Sequence, residues 1–159
     1  MAITVPVGVT VPKMLPVTGA FALPFAAYFA ILSVRVVGCR LRDECFVGDD
    51  SSVSSPAFGK DTAKPNELKV ASRAHANFSE NVPLALILAA FAELNGANRK
   101  ALTGLLSALF AFRVLHAEFG LRAEGAMGKG RPIGFFGTLG VVGGLAGYSA
   151  WLVKEYWGL

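Results

Sequence analysis

Four apolar stretches of unequal length divide the chain. Residues 14–34 and 132–153 contain no charged side chain, and each reaches the roughly 20 residues that a helix needs to cross hydrocarbon. Between them, residues 81–92 and 101–112 are apolar but too short to cross unless neighbouring polar residues are immersed with them. The pattern predicts an all-α integral membrane protein, a four-helix bundle with helices over about 15–38, 66–94, 98–120 and 132–156 and one domain over residues 1–159.

Composition points the same way. Hydrophobic residues make up 53% of the chain and charged residues 16%. The mean hydropathy is +0.52, well outside the range of soluble domains. A soluble fold with the two short stretches as buried core helices is outweighed by the two long uncharged spans. Residues 1–13 are apolar and lack the basic start of a cleaved signal peptide, so the first span is expected to be retained.

The basic residues set an expected orientation. Arg35, Arg40, Arg42, Lys60, Lys64, Lys69, Arg73, Arg113, Arg122, Lys129 and Arg131 fall on the side of the first and third connections, whereas Lys13, Arg99, Lys100 and Lys154 fall on the other. By the positive-inside rule, loops one and three face the cytosol. The net charge of +4 then reflects topology and anionic headgroups, and no interleaving of basic and aromatic residues suggests nucleic acid.

The first loop, 41–65, is polar, rich in serine and turn residues, and expected to be mobile. Cys39 and Cys45 flank its start, on the side where thiols stay reduced, and no neighbouring histidine gives them a metal-binding pattern. No internal repeat and no glycine-rich phosphate loop is present. On the fourth helix, Gly137, Gly140, Gly144 and Gly147, with Gly143, make a small-residue face that fits packing within the subunit or contact between subunits.

Against this apolar background one segment is conspicuous. RAHANFSENVP, residues 73–83, places Arg73, Asn77 and Glu80 at i, i+4 and i+7, on one helical face that runs directly into an apolar stretch. A polar stripe there fits a cavity or a subunit contact. In the predicted topology Arg35 ends helix one, Arg113, His116 and Glu118 lie in the second half of helix three, and Arg131 opens helix four. All gather at one depth, where a charge costs roughly 2.5–3.5 kcal/mol and must face a polar interior. The alternative to a binding site is a set of structural roles: pairs such as Arg113 with Glu80 or Glu118, a satisfied interfacial His116, and headgroup anchoring by snorkelling Arg35, Arg40, Arg42 and Arg131. The excess of arginine over carboxylate points to an anionic ligand.

The R-x-x-x-N-x-x-E-N-x-x-P pattern of helix two, the segment FRVLHAEFG on helix three and an arginine opening helix four resemble the MAPEG family, the membrane-associated proteins in eicosanoid and glutathione metabolism. RAHANFSEN is most similar to the microsomal glutathione transferase branch and its bacterial relatives. The resemblance implies a homotrimer in the membrane lipid, in the endoplasmic reticulum or another internal membrane of a eukaryote or in a bacterial inner membrane. It implies glutathione as co-substrate, held between subunits near the cytosolic face. Arg73, Asn77, Glu80 and Asn81 would hold the peptide, Arg35 and His75 would reach in from the adjacent subunit, and Arg113 and His116 match polar positions of the third helix. Arg131 matches the catalytic arginine placed beside the sulfur.

Phe119 and Gly120 occupy the stretch in which several catalytic members carry a tyrosine, and Asn81 stands where some leukotriene-forming members have another. Three functions follow in order: a glutathione-dependent transferase or peroxidase acting on a lipophilic small molecule, a non-catalytic lipid- or glutathione-binding scaffold of the same fold, and a transporter. The last is disfavoured by the absence of inverted repeats and broken helices.

Overall fold

In the computed structural model, residues 2–4, 10–12, 14–48 and 67–158 are described; the lysines at 60 and 64 and most of the 41–65 loop lie outside them. Four helices form the bundle: α1 Pro16–Arg42, α2 Glu67–Leu94, α3 Arg99–His116 and α4 Gly130–Leu152. A π-helical turn, Ala117–Leu121, prolongs α3, and short 3-10 turns occupy Glu124–Ala126 and Lys154–Trp157.

The element ends differ from the hydropathy pattern where charge sits. The first helix runs on to Arg42, because Arg40 and Arg42 in its last turn complement the negative end of the helix dipole. The fourth stops at Leu152, and Lys154–Trp157 continues as a 3-10 turn closed by Gly158 at φ +71°. A short antiparallel ladder, Ala2–Thr4 with Thr10–Pro12, was not expected of an all-helical chain.

Among the described residues, three segments, Pro16–Arg42, Arg99–Leu121 and Gly130–Leu152, are long and apolar enough to cross a membrane. The second helix, at 28 residues, is as long as any. Its first half, with Glu67, Lys69, Arg73 and Glu80, makes it too polar to qualify on composition, in contrast to the four spans expected.

The main contacts are of α3 with α4, α1 with α2 and α2 with α4. The second helix meets its neighbours through Ala74, Ala85, Ala89 and Ala92, all buried, which let backbones approach closely. An aromatic cluster joins the first three helices, Phe25 meeting Phe110 edge-on with ring centroids 5.4 Å apart and Tyr28 meeting Phe78 at 5.5 Å. At the end of the bundle opposite Arg73 and Arg131, the Glu93 carboxylate accepts from the backbone N–H groups of Val17 (2.7 Å) and Thr18 (2.8 Å), capping α1 from α2.

The crossing of α3 and α4 depends on glycine. A Cβ at Gly137 would lie 2.6 Å from the Phe112 ring, and one at Gly134 would lie 2.5 Å from the His116 Cβ. By contrast, Gly140, Gly143, Gly144 and Gly147 have open space where a side chain would stand, so the GxxxG pairs take no part in packing within the subunit. Cys39 is half-buried, and Cys45 is buried with its Sγ donating to the Val47 carbonyl oxygen at 3.5 Å.

Candidate functional site

The polar ends of all four helices come together at one end of the bundle. There a cleft of about 730 Å³ opens between α2, the π turn and the start of α4. Arg73, Asn77 and Glu80 form its α2 wall, as their i, i+4, i+7 spacing requires, and His116 and Arg131 stand opposite. Leu121, Met127, Pro132 and Phe135 add an apolar side.

Arg73 and Glu80 are exposed, and neither has an ion-pair or hydrogen-bond partner among the described residues. Asn77 is different. Arg113, 3% exposed, donates from Nη1 to the Asn77 side-chain oxygen and from Nη2 to the Gly134 carbonyl oxygen at 2.9 Å. With its carbonyl oxygen taken, Asn77 is left with its NH2 donors for the cleft. Arg113 therefore lies behind the cleft wall rather than lining it, and its partners are not Glu80 or Glu118.

The π turn shapes the opposite wall. One extra residue per turn re-aims the helix end, and Gly120 is pressed against α4: a Cβ there would come within 2.6 Å of the Arg131 backbone nitrogen. No side chain, tyrosine included, fits at this position as the backbone stands. Phe119 points outward, 64% exposed. The guanidinium of Arg131 donates to the Ala126 carbonyl oxygen at 3.1 Å and lies 3.6 Å from the Met127 sulfur, while its own carbonyl oxygen accepts from His116 Nδ1 at 3.0 Å.

Arg35, His75 and Asn81 are not at the cleft. The Asn81 amide donates to the Asn77 backbone carbonyl at 2.7 Å, folded onto its own helix. The His75 Nε2 pairs with the Ser33 hydroxyl at 3.0 Å, and its ring packs 4.8 Å from that of Phe29. Arg35 is paired with Glu118, whose carboxylate also accepts from the Tyr28 hydroxyl at 3.0 Å and from Arg122 at 2.7 Å. This junction ties α1 to the π turn, beside a second cavity of about 490 Å³ that includes Cys39 and Arg42. The sequence pattern signals neither Glu118 as the shared acceptor nor Lys129 and Met127 as cleft residues, because all three lie where helical periodicity breaks down.

The fold and site define a helical membrane bundle with a cleft at one end, lined by both charged and apolar side chains. Residues 18–151 match the MAPEG family, and the chain belongs to it. That family includes glutathione transferases and peroxidases as well as non-catalytic members. The chain is an integral membrane protein. No curated protein matches it.

Proposed function

We propose that the protein is a glutathione-dependent membrane transferase or peroxidase acting on lipophilic electrophiles or lipid hydroperoxides. The observation that carries this reading is the cleft in which Arg73 and Glu80 stand without partners among the described residues, beside Arg131 and an apolar wall. Glutathione carries two carboxylates, an ammonium and a thiol, a set that calls for cations, an anion and a means of holding thiolate.

In this assignment Arg73 and the Asn77 amide take carboxylate or carbonyl oxygens, Glu80 takes the ammonium, and Arg131 stands beside the sulfur. Lowering an ordinary thiol by two units from about 8.5 requires only about 2.7 kcal/mol, within reach of one partly desolvated arginine. Leu121, Met127 and Phe135 would receive the lipophilic partner. The proposed assembly is a homotrimer of single-domain subunits, in which Arg35 and His75, outside this subunit's own cleft, would serve that of a neighbour. Loops one and three face the cytosol, at the endoplasmic reticulum or another internal membrane of a eukaryote or at a bacterial inner membrane.

The contact of Gly120 with Arg131 favours a second reading, a scaffold that binds glutathione or lipid without turnover, since it leaves no room for a phenolic side chain at that position. One titration separates the two: glutathione added to detergent-solubilised protein, followed by calorimetry and by absorbance at the thiolate band. Binding with a thiolate band supports the enzyme, binding without one supports the scaffold, and no binding removes both glutathione assignments.

A further inference from the structure

The ring of His116 is tied at one nitrogen and open at the other. Its Nδ1 lies 3.0 Å from the backbone oxygen of Arg131. A carbonyl oxygen can only accept, so Nδ1 carries the proton, and in the neutral ring Nε2 holds the lone pair. Although the residue is only 5% exposed, Nε2 is not among the buried polar atoms lacking a partner, and nothing in the described subunit bonds to it. It therefore opens into the cleft that His116 lines.

The groups around it leave few other proton acceptors. Arg113 precedes it on α3; Arg131 and Lys129 face it from α4 and the loop before it; Arg73, Asn77 and Glu80 stand across the cleft on α2; α1 contributes no lining residue. Arginine does not deprotonate in proteins, and the Asn77 amide offers donors only. Glu80 is the carboxylate set to meet the ligand's ammonium.

We propose that His116 Nε2 accepts the proton of the bound thiol, an assignment that rests on the glutathione site proposed above. The S–H bond breaks, its electron pair stays on the sulfur as thiolate beside Arg131, and a new N–H bond forms at Nε2. The ring becomes imidazolium with Nδ1 still donating to the Arg131 carbonyl oxygen. With a hydroperoxide, the thiolate attacks the distal oxygen, the O–O bond breaks, and the sulfur is oxidised to the sulfenic acid. The departing alkoxide takes the proton from Nε2 and leaves as alcohol, which returns the ring to its starting form. A second glutathione thiol then reduces the sulfenic acid to the disulfide with loss of water. With an aryl halide the halide leaves unprotonated, and Nε2 gives its proton to water. Arg131 thus serves twice, its side chain toward the sulfur and its backbone oxygen toward the base.

The test uses the full chain in detergent and His116→Asn, whose amide can still donate to the Arg131 carbonyl oxygen but offers no base at the Nε2 position. Glutathione is titrated at about pH 8, above the ordinary histidine range, in buffers of different ionisation enthalpy, with absorbance recorded at the thiolate band. The unmutated protein should form thiolate without a matching release of protons to buffer. H116N should bind glutathione within about threefold of the original affinity, yet conjugate an electrophile about 100-fold more slowly at neutral pH, the usual scale of general base catalysis. Its remaining thiolate should appear only as pH rises, each with a released proton. One proton released per thiolate by the unmutated protein overturns the assignment, and that count decides alone if H116N does not fold. A thiolate band unchanged in H116N overturns it as well. Failure of the unmutated protein to bind glutathione would overturn the functional reading itself and this assignment with it, a result distinguishable from the other two.

Discussion

Arg113 and Asn77, on different helices, share a hydrogen bond that decides which end of an amide faces the cleft. The guanidinium holds the Asn77 oxygen from within the core, and the amide nitrogen is left for the ligand. A buried cation whose hydrogen-bond partners are neutral oxygens is costly to retain, and here its effect on the cleft passes through Asn77.

Asn77→Asp should therefore change stability and binding in opposite directions. A carboxylate beside Arg113 supplies the missing counter-charge and raises the unfolding temperature, while acceptors replace donors at the cleft and glutathione affinity falls at least about tenfold, the loss of roughly one charge-assisted hydrogen bond. Thermal melts and calorimetry on one preparation check both signs.

Arg73→Ala and Glu80→Ala should each weaken glutathione binding by about 2 kcal/mol, roughly 30-fold, by leaving a charge of the bound peptide without its partner. Since neither side chain is paired among the described residues, stability should move by no more than about 0.5 kcal/mol. Unchanged affinity in both variants would return the stripe to a solvated helix face.

Arg131→Ala removes the guanidinium and spares the backbone oxygen that holds His116. Affinity should persist, while the thiolate band and the conjugation of a chlorodinitrobenzene fall together. Even the unmutated protein should turn over below the ~10 per second typical of enzymes, given the absent hydroxyl. Arg113 is committed to Asn77 and Gly134, so full thiolate formation in the variant would point to a group other than these two arginines.

Restoring the hydroxyl by Gly120→Tyr should fail. The added Cβ meets the Arg131 backbone, and overpacking of this kind costs about 1–3 kcal/mol. The expected result is a lower unfolding temperature and a weaker thiolate band. A faster enzyme would show that the π turn yields more readily than its packing implies.

Detergent-solubilised protein should have the mass of three subunits plus bound detergent. A stable monomer that still binds glutathione with full affinity would mean that Arg35 and His75 take no part.

Helix existence and the composition of the α2 wall were legible because long apolar runs and an i, i+4, i+7 stripe report directly on one helix. The destination of Arg113 was not, since periodicity assigns a face without naming what the neighbouring helix offers. Glycine spacing misdirected in the same way: Gly140 and Gly144 form the recognisable GxxxG, yet Gly134 and Gly137 make the close approach. The π turn carries no sequence mark of its own, so the placement of Gly120 against Arg131 could be learned only from tertiary structure.

The two-sided cleft has a kinetic consequence on the proposed reading. A tripeptide would reach Arg73 and Glu80 from water, whereas a lipophilic partner would reach Phe135 and Leu121 by diffusing within the leaflet. Its effective concentration is then a mole fraction in the lipid rather than a bulk molarity. Adding inert lipid or detergent at constant total substrate should slow the reaction by surface dilution, leaving the dependence on glutathione untouched.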